Sequence, residues 1–152
     1  MAVEAGDRAP DFALTDHTGA TVRLGDFAGE RLVVYFYPRA FTPGCTTEAC
    51  DFRDRYAALG HTGTRVVGIS PDDPETLARF GEEHRLPFPL LSDPDHRVAT
   101  AYGAWGVKKN YGKEYEGLIR STFVVGPEGV VSHAWRNVRA KGHAGRVAEA
   151  LA

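Results

Sequence analysis

Apolar runs in the first half of the chain mark its strands. Residues 32–37 read Leu-Val-Val-Tyr-Phe-Tyr, and such an unbroken run is typical of a strand buried on both faces of a sheet. Residues 65–70 form a second run of this kind. Before both, residues 12–14 and 21–24 are short apolar stretches separated by Asp, Thr and Gly, a pattern that predicts a β-hairpin.

Helical spacing of apolar residues follows each of the two long runs. The first predicted helix begins at Pro43, with Thr42 as its N-cap, and ends by Gly60. Asp73-Pro74 repeats this start for a second helix that reaches about Leu86. A strand, helix, strand order predicts two parallel strands joined by a crossover helix.

The second half of the chain adds shorter elements. Residues 103–118 are rich in Gly and Lys and predict a long surface loop. The other predicted elements are a short strand at 90–91, a short helix at 98–102, a hairpin formed by 119–125 and 130–136, and a helix from His143.

The order of these elements predicts an α/β fold with a mixed central sheet flanked by helices. Without the first hairpin and the insert at 103–118, the order is that of a thioredoxin-like fold. The first hairpin is then an N-terminal β-hairpin extension. At 152 residues, we expect residues 1–152 to form a single domain.

Composition and charge exclude several classes of protein. Hydrophobic residues make up 43% of the chain, which suits a packed globule. The net charge is −2, without a basic block, so no nucleic-acid partner is expected. No apolar run approaches the roughly 20 residues that cross a bilayer, and residues 1–11 lack a signal-peptide core. We expect a cytoplasmic protein that acts as a monomer and does not bind membranes.

Cys45 and Cys50 are the only cysteines, and a close pair in a reducing compartment is more often redox-active than structural. Cys45 falls at the third helical position, where the helix start favours the thiolate by about 0.3 to 1 kcal/mol. A nearby cation must add to this stabilisation of the Cys45 thiolate. Arg120 lies beside Cys45 if its strand runs antiparallel to residues 32–37, and Arg39 is the local alternative. The other interpretation is that both cysteines fill the core as small apolar residues.

The spacing of the two cysteines limits how they can pair. Five positions along a helix separate Cys45 from Cys50 by about 7.5 Å along the axis and about 140° around it. The implied Cα separation of about 8.6 Å exceeds the roughly 7 Å that a disulfide spans without backbone movement. A disulfide between them therefore requires the first turns of the helix to unwind.

The residues around the cysteines also match a known motif. Pro38, Thr42 and Cys45 form a Pro-x-x-x-Thr-x-x-Cys pattern, with Cys50 five residues on and Arg120 before the late strand. In this the sequence resembles the peroxiredoxins, and within them the peroxiredoxin Q, or bacterioferritin comigratory protein, group. Shorter matches spread the resemblance over nearly the whole chain, at 6–12, 68–70, 91–93 and 111–113.

The resemblance implies a thioredoxin-dependent peroxidase that uses no cofactor. Cys45 is expected to attack hydrogen peroxide or an organic hydroperoxide and become a sulfenic acid, which Cys50 converts to a disulfide. Thioredoxin or a similar dithiol then reduces the disulfide. Thr42 is expected to hold the peroxide, Pro38 to shield the sulfur from water, and Arg120 to stabilise the thiolate and the charge that develops on oxygen.

Three other functions were weighed against the peroxidase. A thioredoxin-type disulfide oxidoreductase needs Cys-x-x-Cys and a proline before the late strand, and residues 114–123 contain no proline. A non-enzymatic redox sensor or interaction protein would oxidise once instead of consuming peroxide continuously. A metal site has little support, because the six histidines show no close paired spacing, and we expect them at the surface.

Overall fold

The computed structural model describes residues 3–110 and 112–152. Tyr111, which belongs to one of the shorter sequence matches, lies outside the described residues, as does the side chain of Asn110. The strands are β1 Ala13–Asp16, β2 Thr21–Arg23, β3 Arg31–Phe36, β4 Thr64–Ser70, β5 Leu90–Ser92, β6 Trp105–Asn110, β7 Lys113–Leu118, β8 Ser121–Val125 and β9 Val131–Trp135. The helices are α1 Pro43–Gly60, α2 Pro74–His84, α3 Arg97–Tyr102 and α4 His143–Ala150, with a short 3₁₀ turn at Leu24–Phe27.

Seven strands form one mixed sheet in the order β2-β1-β5-β4-β3-β8-β9. Strand β4 pairs in parallel with both β3 and β5, and α1 connects β3 to β4. Strand β8 is antiparallel to β3, and the β1–β2 hairpin joins the far side of the sheet through β5. This is the mixed sheet flanked by helices that the order of elements predicts, so the thioredoxin-like fold is confirmed.

Strand β3 lies between two hydrophobic cores. Val34 and Phe36 face one core, and Val33 and Tyr35 face the other. All four are inaccessible to solvent, which explains why this run shows no polar alternation. The Tyr35 ring lies against Gly68 of β4, where a Cβ atom would lie 2.8 Å from the ring.

The pairing of β3 with β8 positions the candidate chemistry. Phe36, the last residue of β3, lies opposite Ser121, the first residue of β8. Arg120 therefore lies beside the end of β3, from which the chain leads into α1. The expected antiparallel direction of the late strand is confirmed.

The prediction of a surface loop at 103–118 is wrong. These residues contain strands β6 and β7, which form a separate two-stranded antiparallel sheet. Opposite charges face each other across it, with Lys109 Nζ 3.5 Å from Glu114 Oε1. Cross-strand pairs of this kind stabilise a hairpin, and they are not visible as apolar alternation along the sequence.

The ends of two predicted elements also differ from the structure. Helix α2 ends at His84 because Arg85 adopts a left-handed conformation, with φ of 52°. Strand β8 begins at Ser121, so Arg120 precedes the strand and does not belong to it. No helix within the described residues is long and apolar enough to span a membrane.

His143 contradicts the expectation that the histidines lie at the surface. It is fully buried at the start of α4, where its Nε2 lies 2.7 Å from Thr122 Oγ1. Burial lowers the pKa of His143 to about 4, and the charges of Arg146 and Arg120 act in the same direction. At neutral pH it is therefore an uncharged part of the core.

Candidate active site

The start of α1 holds Cys45 at the third helical position. Thr42 is the N-cap in an extended conformation, and Pro43 is the first helical residue. The first helical hydrogen bond runs from the Thr46 N–H to the Thr42 carbonyl, at 2.9 Å. The amide of Cys45 precedes this bond, so the positive end of the helix lies at its thiol. Only 1% of Cys45 is exposed.

Thr42 occupies the predicted N-cap position, but its side chain does not cap the helix. Its hydroxyl donates instead to the Arg39 carbonyl, at 2.8 Å. The hydroxyl hydrogen is therefore committed, while the oxygen keeps its lone pairs to accept a hydrogen bond. A group bound at Thr42 Oγ1 must thus be a donor.

Arg120 is the cation beside the thiol. Its Nη2 donates to Cys45 Sγ at 3.2 Å, and only 15% of its side chain is exposed. Arg120 Nη2 also lies close to Gly44, where a Cβ atom would be in ordinary contact with it at 3.4 Å. Arg39 is exposed and contributes its carbonyl to Thr42. Of the two arginines considered from the sequence, the structure therefore places Arg120 at the sulfur.

Glu48 is a member of the site that the sequence analysis missed. It is fully buried, three residues after Cys45, and its Oε1 accepts from Arg120 Nη1 at 2.5 Å. Burial raises the pKa of Glu48 to about 7, against the lowering effect of Arg120. A charged residue on the same helix face as Cys45 and Phe52 was the available signal.

Pro38 precedes this cluster along the chain, and Cys50 follows it within α1. Pro38 is half-buried and lies two residues beyond β3, on the segment that leads to α1. Cys50 is half-buried within α1, and its sulfur lies 3.9 Å from His84 Nδ1 at the end of α2. Both cysteines are free thiols. Because α1 is continuous from Pro43 to Gly60, they face different neighbours and a disulfide requires unwinding.

The arrangement favours nucleophilic chemistry at sulfur. A thiol that receives a hydrogen bond from a guanidinium at a helix start is held towards its thiolate form. This distinguishes Cys45 from a cysteine that only fills the core. No cluster of three His, Cys, Asp or Glu side chains suited to a metal ion occurs in residues 3–110 and 112–152.

Comparisons with known proteins agree with this chemistry. The sequence model described as the AhpC/TSA family matches residues 5–134. Peroxiredoxin Bcp of Bacillus subtilis is 48% identical over 151 residues, covering 99% of this chain and 94% of that protein. Peroxiredoxin Bcp of Escherichia coli K12 is 46% identical over 141 residues, covering 93% of this chain and 90% of that protein.

Solved structures show the same relationship. Peroxiredoxin Q of Xanthomonas campestris superposes with a TM-score of 0.90 at 38% identity, covering 97% of this chain and 96% of that chain. The bacterioferritin comigratory protein of the same organism, studied for alkyl peroxide reduction, has a TM-score of 0.91 at 38% identity and covers 97% of each chain. These matches and the thiol site together show that the chain belongs to the AhpC/TSA family, as a thiol peroxidase of the Bcp, or peroxiredoxin Q, group of peroxiredoxins.

Proposed function

We propose that this peroxiredoxin reduces hydrogen peroxide and organic hydroperoxides through Cys45, with Cys50 as the resolving thiol. The observation that carries the proposal is the 3.2 Å hydrogen bond from Arg120 Nη2 to Cys45 Sγ at the start of α1. The helix start contributes about 0.3 to 1 kcal/mol towards the thiolate, and a charge-assisted hydrogen bond adds about 1.5 to 3 kcal/mol.

In the first step, the Cys45 thiolate attacks the terminal oxygen of the peroxide. The O–O bond breaks, Cys45 becomes a sulfenic acid, and hydroxide or alkoxide leaves and is protonated. Arg120 stabilises the negative charge as it moves from sulfur to oxygen. The oxygen of Thr42 accepts the hydrogen bond of the peroxide O–H, since its own hydrogen is used on Arg39. Pro38, on the segment before α1, shields the sulfur from water.

In the second step, Cys50 condenses with the sulfenic acid and water leaves. Because Cys45 and Cys50 face different sides of α1, this step follows local unwinding of the helix start. The disulfide then lies in irregular chain at the surface, where thioredoxin or a similar dithiol reduces it by thiol–disulfide exchange.

The setting of this chemistry is also part of the proposal. A dithiol-recycled enzyme with two free cysteines suits a reducing compartment, the cytoplasm. The exposed large apolar residues of the described chain are Phe41, Val107 and Tyr115. Phe41 precedes α1, and the register of β6 with β7 puts Val107 and Tyr115 on opposite faces of their hairpin. Val107 and Tyr115 therefore form no joint apolar patch, which supports a monomer.

The test is steady-state consumption of hydrogen peroxide and of an alkyl hydroperoxide, with thioredoxin as reductant. Cys45→Ser should abolish consumption, because a serine hydroxyl is not ionised at neutral pH. Cys50→Ser should allow one oxidation of Cys45 but lose recycling by thioredoxin. Substantial activity of Cys45→Ser, or recycling of Cys50→Ser at the wild-type rate, would refute the assignment of roles.

A further inference from the structure

The sulfur of Cys50 has an imidazole neighbour that the chemistry at Cys45 does not use. His84 Nδ1 lies 3.9 Å from Cys50 Sγ, and 22% of the His84 side chain is exposed. The other ring nitrogen, Nε2, lies 3.5 Å from the carboxylate oxygen Oε2 of Glu83. Thiol, imidazole and carboxylate thus follow one another in space, which is the order of a nucleophile, a base and a group that orients the base.

The carboxylate of Glu83, 3.5 Å from Nε2, favours one tautomer of the neutral His84 ring. A carboxylate only accepts hydrogen bonds, so the neutral ring is favoured with its hydrogen on Nε2, towards Glu83. The unprotonated nitrogen is then Nδ1, which faces Cys50. His84 is thereby prepared to take the proton of the Cys50 thiol.

Contacts from two helices hold His84 in this position. The ring of Phe80, one turn earlier on α2, meets the imidazole edge-on, with centroids 5.2 Å apart. Arg53 of α1 donates from Nη1 to the His84 carbonyl at 2.8 Å. Arg53 lies three residues after Cys50, so the end of α2 is attached to α1 beside the resolving thiol.

We propose that His84 is the general base of the resolving step, with Glu83 as its positioning residue. This inference rests on the proposed role of Cys50. While α1 is intact, the Cys50 S–H bond breaks and the proton passes to His84 Nδ1. When the helix start unwinds, the thiolate forms the S–S bond with Cys45 and the S–O bond of the sulfenic acid breaks. Hydroxide leaves and becomes water, and the imidazolium returns its proton, so no net proton is consumed.

The possible gain in rate follows from ordinary thiol ionisation. A cysteine thiol with the reference pKa of about 8.5 is only about 3% thiolate at pH 7. Complete conversion to thiolate would speed the attack about thirtyfold, which is the upper limit on what thiol ionisation can contribute at this pH. The charged groups that face this thiol and its base are Arg53 and its partner Asp54 on α1, and Glu83 on α2.

The test measures disulfide formation after one equivalent of hydrogen peroxide, by rapid acid quench and mass spectrometry, from pH 6 to 9.5. His84→Asn keeps a polar atom near the position of Nδ1 but cannot take a proton at these pH values. We expect it to slow disulfide formation about tenfold or more at pH 7 and to leave the oxidation of Cys45 unchanged. At pH 9.5, where hydroxide ionises the thiol, the two rates should converge. The matched control is His61→Asn, an exposed histidine at the other end of α1, which should behave as wild type.

A second pair of variants tests the positioning residue. Glu83→Gln should slow disulfide formation at pH 7 about twofold, and Glu82→Gln, its exposed neighbour, should not. Equal rates for these two variants would overturn the role of Glu83.

The outcomes separate this inference from the proposed function. If wild type forms the disulfide and His84→Asn matches it at every pH, the inference is overturned while Cys50 keeps its role. A loss of rate in His84→Asn that persists at pH 9.5 also overturns it, because that is the sign of a structural role. If wild type forms no Cys45–Cys50 disulfide at all, the proposed function fails together with the inference.

Discussion

At the scale of single residues, one guanidinium group joins the thiol to a buried carboxylate. Arg120 donates to Cys45 from one nitrogen and to Glu48 from the other. A glutamate with a pKa of about 7 is only partly ionised at neutral pH. The charge of Arg120 is therefore not fully neutralised by Glu48 and remains available to the thiolate.

Replacement of the cation tests its share in activating the thiol. Arg120→Met should lower the thiolate fraction of Cys45 at neutral pH and slow peroxide attack about tenfold or more, because a charge-assisted hydrogen bond of about 1.5 to 3 kcal/mol is lost. Arg39→Met is the control, since Arg39 is exposed and offers Thr42 only its carbonyl. Ultraviolet titration of the thiolate in both variants checks this. Equal small effects, or a larger effect at Arg39, would show that Arg120 is not the cation that activates the Cys45 thiol.

The raised pKa of Glu48 predicts how stability depends on pH. Between its ordinary value of 4.5 and about 7, folded Glu48 holds its proton while the unfolded chain has lost it. The stability that protonated Glu48 contributes is therefore fully present below pH 4.5 and lost as pH rises through about 7.

Removal of this titrating group should flatten that profile. From pH 5 to pH 8, the free energy of unfolding of wild type should fall by about 2 to 3 kcal/mol more than that of Glu48→Gln. Urea unfolding of both proteins at several pH values measures the difference. Profiles that run parallel for the two proteins would show that Glu48 does not titrate in this range.

Some of these residues could be predicted from the sequence and others could not, for physical reasons. The position of Cys45 follows from the Thr-Pro start of a helix, and the place of Arg120 follows from the direction of one strand. Helical spacing puts Glu48 on the face of Cys45 and Phe52, but spacing does not show that this charged residue is fully buried beside Arg120. The contact of His84 with Cys50 depends on how α2 packs against α1, which local spacing does not give.

At the scale of elements, patterns of burial were predictive and patterns of charge were not. The continuous apolar run of β3 and the capped start of α2, where Asp73 accepts from the Thr76 amide at 2.7 Å, could be predicted directly. The β6–β7 hairpin was missed because its residues show no apolar alternation, and its cross-strand pairs, such as Lys109 with Glu114, depend on the register. Only the paired register reveals such contacts.

In the proposed reaction, helix α1 must change its structure during turnover. An intact helix keeps Cys45 and Cys50 about 8.6 Å apart, so the disulfide form needs irregular chain around residues 44–50. Amides 45–53 should therefore exchange with solvent faster in the disulfide form than in the reduced form, while amides 33–36 of β3 stay protected. Hydrogen exchange followed by mass spectrometry measures both segments. Equal protection of the helix start in both forms, with the disulfide confirmed, would refute the unwinding argument.

At the scale of the whole molecule, the sheet collects residues that are distant in sequence. The pairing of the end of β3 with the start of β8 brings Arg120 to Cys45, 75 positions before it in the sequence. On the other side of α1, the end of α2 brings His84 to Cys50. The order of strands and helices predicted the contact of Arg120 with Cys45. The contact of His84 with Cys50 depends on how α1 and α2 pack together, and only the structure reveals it.

In the proposed reaction, one molecule carries both the attacking and the resolving thiol. A single turnover of reduced protein with one equivalent of hydrogen peroxide, followed by intact mass and peptide mapping, tests it most directly. Wild type should lose about 2 Da through a disulfide that joins Cys45 to Cys50 within one chain, whereas Cys50→Ser should gain about 16 Da as a sulfenic acid on Cys45. A disulfide between two chains in wild type, or oxygen retained on Cys45 with Cys50 still free, would contradict the account.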